Sequence, residues 1–99
     1  MIKTITEDKF HNEISNSKVL VDFYATWCGP CKMLGVVLEN YDNKNEVDIL
    51  KIDVDSSPNL SAEYKIFSVP TLILFENGKE LKRISGFMTE DKLSKWVNE

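Results

Sequence analysis

The chain has two cysteines, Cys28 and Cys31, and only two residues separate them. A deprotonated thiol attacks disulfides and binds metal ions, so such a pair indicates either redox chemistry or part of a metal site. A structural cross-link is a weaker interpretation, because closing so short a loop removes little entropy from the unfolded chain. Tetrahedral zinc needs four ligands, and His11 is the only histidine and lies in a distant predicted helix. The pattern therefore favours thiol-disulfide exchange, with an unreactive buried pair as the remaining alternative.

The two thiols are predicted to lie where a strand meets a helix. Residues 19–24 form an apolar, aromatic-rich run typical of a buried strand, and residues 31–41 have the apolar spacing of a helix. A helix N-terminus stabilises an anion such as a thiolate, because its N–H groups are unpaired and the positive end of its dipole lies there. Asp22 interrupts the strand. A buried carboxylate would have a raised pKa there, whereas a solvated acid at the strand end would not.

The order of predicted elements is β-α-β-α-β-α-β-β-α, which implies an α/β fold with a mixed central sheet and helices on both faces. Thr6, Ser57 and Thr89 are typical helix N-caps, and Asn77-Gly78 predicts the turn of an antiparallel hairpin. Binding sites in such sheets form beyond the carboxyl ends of the central parallel strands, where the cysteines are predicted to lie. The predicted strands cover residues 2–5, 19–24, 47–54, 71–76 and 79–85.

Composition limits the classes of function. Ninety-nine residues, 42% hydrophobic and 28% charged, predict a single domain over residues 1–99. The net charge of −4 and the lack of a basic block argue against nucleic acid as a partner. The N-terminal residues carry charges where a signal peptide needs an apolar core, and no run is long enough to span a membrane. We therefore expect a cytoplasmic monomer without membrane contact.

The stretch Trp27-Cys28-Gly29-Pro30-Cys31-Lys32 resembles the active site of the thioredoxin family. It is preceded by Val21-Asp22-Phe23-Tyr24-Ala25 and followed much later by Val69-Pro70-Thr71 and Gly86, so the resemblance covers essentially the whole chain. It implies a thioredoxin fold and a protein-disulfide reductase whose redox group is a Cys28–Cys31 disulfide, with no metal and no other cofactor. Thioredoxin reductase and disulfide-containing client proteins are the implied partners.

The position of each cysteine in this stretch predicts its role. Cys28 comes first, at the helix cap with its sulfur toward solvent, and would attack the client disulfide. Cys31 lies one turn deeper and would displace the client, because it is held beside the mixed disulfide at high effective concentration. Gly29 permits the tight turn, and Pro30 fixes φ at a helix start where its missing N–H costs nothing.

The resemblance also implies roles for residues outside the cysteine stretch. Asp22 would lie beneath the thiols and accept the proton of Cys31 through water, with Lys51 beside it. A lysine that merely extends to solvent is the alternative for Lys51. The Val69–Pro70 bond would be cis, and the Val69 backbone would pair with a bound client strand. Gly86 would allow close approach of the client, and an apolar rim would be formed by Trp27, Tyr24 and Phe87.

The sequence departs from the family pattern in the predicted helix that follows Cys31 and in the apolar rim. Many members have a proline where this chain has Val36, so the usual cause of a helix kink is missing, and Gly35 would provide local flexibility instead. Tyr24 stands where many members have tryptophan. Asp53 and Asp55 add acidic charge near the end of the third strand.

Two alternatives to a general protein-disulfide reductase remain open. One is a binding subunit in which redox chemistry is incidental. The other is a dedicated electron donor to one peroxidase or reductase, or a glutaredoxin-like user of glutathione. Gly29-Pro30 argues against the last of these, because glutaredoxins commonly have Pro-Tyr between their cysteines.

Overall fold

The computed structural model describes residues 1–99, and its elements follow the predicted order. Five strands form one mixed sheet in the order β1-β3-β2-β4-β5, in which β1, β3 and β2 are parallel and β4 and β5 are antiparallel to their neighbours. The strands are β1 Ile2–Thr4, β2 Lys18–Tyr24, β3 Asp48–Asp53, β4 Thr71–Glu76 and β5 Lys79–Ser85. The helices are α1 Phe10–Glu13, α2 Gly29–Asp42, α3 Pro58–Glu63 and α4 Glu90–Asn98.

Helices cover both faces of the sheet, as predicted. Side chains of α2 and α4 pack on one face against Leu20 of β2, and those of α1 and α3 pack on the other against Val21 and Phe23. Alternate residues of β2 therefore reach different hydrophobic clusters, which explains the unbroken apolar run in its sequence. By the same alternation, Asp22 faces the side covered by α2 and α4.

Two predicted helix starts differ from the structure. The Thr6 side chain makes no capping hydrogen bond, and a 3-10 turn over Glu7–Lys9 precedes a helix α1 of only four residues. Ser57 stands at the N-cap of α3 with Pro58 following it, but its side chain does not cap either. At α4 the prediction is confirmed, because the Thr89 hydroxyl accepts a hydrogen bond from the Lys92 N–H.

The hairpin of β4 and β5 turns at Asn77-Gly78, and both residues have positive φ, as the predicted turn requires. Helix α4 buries the predicted stripe of Leu93, Trp96 and Val97 against the sheet. No helix is both long enough and apolar enough to cross a membrane.

Candidate active site

The cysteine pair lies at the N-terminus of α2, just beyond the carboxyl end of β2. Cys28 is the N-cap residue with extended backbone, and α2 begins at Gly29 with Pro30 in its first turn. The sulfurs of Cys28 and Cys31 are joined in a disulfide. The Cys31 N–H donates a hydrogen bond to Cys28 Sγ over 3.2 Å, so a negative charge on that sulfur would be stabilised by the first turn of the helix.

Burial does not distinguish the two cysteines in this disulfide form. Cys28 is 5% exposed and Cys31 4% exposed, so both residues are almost entirely buried in the oxidised protein. Their surroundings do differ. Cys28 Sγ lies 3.8 Å from the carbonyl oxygen of Val69, whereas Cys31 lines a separate cavity described below.

The loop before β4 lies directly against Cys28, and its Val69–Pro70 peptide bond is cis, as the family resemblance implied. Thr71 anchors this loop, because its hydroxyl donates a hydrogen bond to the Ser68 carbonyl oxygen over 2.7 Å and lies 2.9 Å from Ser85 Oγ. The Gly86 N–H donates to the Pro70 carbonyl oxygen over 2.8 Å. Gly86 has a φ of +95°, which a side chain would strain, although no atom lies within 4 Å of where a Cβ would stand.

Asp22 is fully buried beneath α2, and neither of its carboxyl oxygens accepts a hydrogen bond from the protein. Burial raises the pKa of Asp22 from 3.8 to about 7, although the positive charge of Lys51 acts in the opposite direction. Lys51 is its register partner on the neighbouring parallel strand β3. The group therefore changes its protonation state near neutral pH, which suits an acid or base in thiol chemistry.

An apolar groove of about 210 Å³ lies beside the Val69 loop. Trp27 forms one wall and is 70% exposed, and its indole N–H donates a hydrogen bond to Asp55 over 2.8 Å. Phe67 also lines the groove and is 90% exposed. The remaining lining residues are Val54, Ile66, Ser68 and Val69.

Sequence reasoning missed Phe67. No local signal distinguishes Phe67 from its apolar neighbours Ile66 and Val69, which the fold leaves less exposed. The residues predicted to form one apolar rim lie in separate places in the structure. Trp27 and Val69 line the groove, whereas Tyr24 lines a second cavity of about 260 Å³ together with Cys31 and Lys51. Phe87 lines neither and is 42% exposed.

Of the other predicted site residues, the structure packs Tyr24 and Val69 against the two cysteines and pairs Asp22 with Lys51 on neighbouring strands. Ala25, Cys28 and Cys31 form a small buried cluster, against which Tyr24, Val54 and Val69 pack. No group of three or more His, Cys, Asp or Glu side chains is arranged to hold a metal ion.

Comparisons with known proteins point to one family. A family model described as thioredoxin matches residues 1–99. A thioredoxin of Chlamydia trachomatis serovar D is 44% identical over 99 residues, which cover 99% of this chain and 97% of that protein. A thioredoxin of Staphylococcus epidermidis is 44% identical over 97 residues, which cover 94% of this chain and 91% of that protein.

A solved structure gives the same result at the level of the fold. The crystal structure of a thioredoxin from Malassezia sympodialis superimposes with a TM-score of 0.88 and 32% sequence identity. The match covers 98% of this chain and 90% of that one.

Proposed function

The chain belongs to the thioredoxin family and is a thiol-disulfide oxidoreductase, and from this premise we propose how its residues carry out the reaction. In the reduced protein the Cys28 thiolate attacks one sulfur of a client disulfide. The client's S–S bond breaks, its second cysteine leaves as a thiolate, and a mixed disulfide forms with Cys28. The hydrogen bond from the Cys31 N–H to Cys28 Sγ is the observation that supports this assignment most strongly.

In the second step Cys31 loses its proton and attacks the Cys28 sulfur. The mixed disulfide breaks, the client sulfur leaves as a thiolate, and a Cys28–Cys31 disulfide forms, so that two electrons have passed from the protein to the client. Asp22 accepts the Cys31 proton, because its raised pKa lets a carboxylate bind a proton near neutral pH. The two client thiolates then take up one proton that Asp22 releases and one from solvent, so the client gains two electrons and two protons. The oxidised protein left behind is the state that the structure describes.

The client binds as an extended polypeptide along the cis-proline loop. The backbone of Val69 pairs with the client strand beside Cys28, and glycine at position 86 leaves that side free of a Cβ. Trp27 and Phe67 contact apolar side chains of the client in the groove beside the loop. Disulfide-containing proteins are thus the substrates that this surface accommodates.

Residues 1–99 act as one domain and as a monomer in the cytoplasm, and a thioredoxin reductase returns the disulfide to the dithiol. NADPH consumption by the oxidised protein and a purified thioredoxin reductase measures this last step. A dedicated role toward one peroxidase would instead give turnover with that peroxidase alone.

Reduction of insulin disulfides in the presence of dithiothreitol tests the proposed activity. We expect Cys28→Ser to reduce the catalysed rate to that of dithiothreitol alone, because the attacking sulfur is lost. Catalysis that survives in Cys28→Ser would contradict the assignment. Binding of a partner protein that is unchanged when both cysteines are replaced by serine would instead favour a binding subunit.

A further inference from the structure

The ammonium group of Lys51 is held by contacts other than an ion pair. Lys51 takes part in none of the ion pairs within 4.0 Å, even though Asp22 is its register partner. Its Nζ lies 4.8 Å from the centroid of the Tyr24 ring, a distance typical of a cation–π contact. On the other side, Nζ lies 3.6 Å from where a Cβ on Gly35 would stand, so it reaches the backbone of α2.

We propose that Tyr24 is a positioning residue whose ring holds the Lys51 ammonium on the inner side of α2, beside Asp22. Without this contact a lysine that lines a cavity open at the protein surface would extend its ammonium into water, where a charge is better hydrated. The cavity lined by Tyr24, Cys31 and Lys51 offers that route. This inference rests on the role of Asp22 in the proposed function.

The groups that surround Asp22 make Lys51 the one cation near it. On the same face of β2 stands Tyr24, and β3 contributes Lys51 and, at its end, Asp53. The neighbouring strand β4 presents Leu72 in register, and the residues of α2 buried above the sheet are uncharged. Moving the Lys51 ammonium outward would therefore leave the Asp22 carboxylate with no nearby positive charge, and its ionisation would become harder.

The titration of Asp22 tests the proposal without any measurement of activity. Carbon-13 NMR of the Asp22 carboxyl carbon, in the oxidised full chain, follows this group directly. We expect Lys51→Met to raise the titration midpoint by about one pH unit, since the Lys51 charge lowers the pKa of Asp22 and a neighbouring cation typically has an effect of this size. Tyr24→Leu should raise it by at least half as much, and Tyr24→Phe, which keeps the ring, should titrate as the wild type does.

The direction in which the Asp22 titration midpoint moves in Tyr24→Leu distinguishes a displaced Lys51 ammonium from a general loosening of the structure. A loosened strand end in Tyr24→Leu would admit water to Asp22 and lower its midpoint, whereas a displaced ammonium raises it. An unchanged or lowered midpoint in Tyr24→Leu would overturn the proposal. So would an unchanged midpoint in Lys51→Met, because the position of the ammonium would then not affect Asp22.

A measurement on the wild type keeps the proposal testable if Tyr24→Leu does not fold. The ε-methylene protons of Lys51 should be shifted upfield by the ring current of Tyr24 and should show nuclear Overhauser contacts to its ring protons. Random-coil shifts without such contacts would refute the proposal. If Asp22→Asn leaves the second step of the reaction unchanged, the proposed proton acceptor fails, while the titration results still decide the role of Tyr24.

Discussion

Replacement of Asp22 by asparagine should make the protein more stable at high pH. The carboxyl is fully buried and has no hydrogen-bond partner in the protein, and its pKa is raised from 3.8 to about 7. The folded state therefore keeps a proton that the unfolded chain has already released. The ionisation of Asp22 costs no stability below pH 3.8. Stability falls as pH rises between the two pKa values and stays low above the higher one.

The size of the effect follows from the interval between the two pKa values. Each pH unit in that interval is worth about 1.4 kcal/mol, so the total loss above pH 7 is about 4 kcal/mol. Between pH 5 and pH 8.5 the free energy of unfolding of the wild type should fall by about 3 kcal/mol relative to that of Asp22→Asn. The comparison with the variant cancels the titration of other groups, which both proteins share.

Urea unfolding of the two oxidised proteins at several pH values measures this difference. We expect the curves of unfolding free energy against pH to diverge steadily as pH rises from 5 to about 7 and to run parallel beyond it. Parallel curves over the whole range would refute the reasoning, because they would mean that folding does not change the ionisation of Asp22. Divergence toward lower pH would refute it as well.

Two further predictions concern α2 and the groove. Gly35→Ala should raise the free energy of unfolding by about 0.5 to 1 kcal/mol in urea titrations, since the helix gains propensity and the new Cβ would contact Lys51 Nζ at an ordinary 3.6 Å. A loss of stability would mean that α2 needs the freedom of a glycine there. Phe67→Ser should lower kcat/KM for insulin about tenfold but leave a small aromatic disulfide unaffected, because only a polypeptide fills the groove. Leu81→Ser on β5, also exposed but outside the groove, is the matched control, and equal losses in both variants would count against a role for Phe67.

Local sequence patterns were sufficient to predict the strands and the order of elements. The apolar run of residues 19–24 by itself indicates a strand buried on both faces. Asn77-Gly78 by itself indicates a tight turn, because both residues readily adopt the positive φ that such a turn needs. Helix α1 is different. Its residues Phe10 and Ile14 have helical spacing, but the four-residue helix is held by packing against the sheet more than by capping at Thr6.

The parts of the site that could not be predicted depend on contacts between distant segments. Phe67 is exposed because of how the whole chain folds, and no local sequence pattern shows which apolar residue will line a surface groove. The contact between Lys51 and the ring of Tyr24 joins two strands with Gly35 of the helix above them. The burial of Cys28 likewise involves the distant loop at Val69, whose carbonyl oxygen lies 3.8 Å from the Cys28 sulfur.

Capture of a client by the reduced Cys31→Ser variant tests the central assignment most directly. With Cys31 removed, a mixed disulfide formed by Cys28 cannot be broken from within and should accumulate. Mass spectrometry after incubation with a disulfide-containing protein should find a covalent adduct at Cys28 in Cys31→Ser, and none at Cys31 in Cys28→Ser. Adducts that form at Cys31 in Cys28→Ser, with none at Cys28 in Cys31→Ser, would contradict the account.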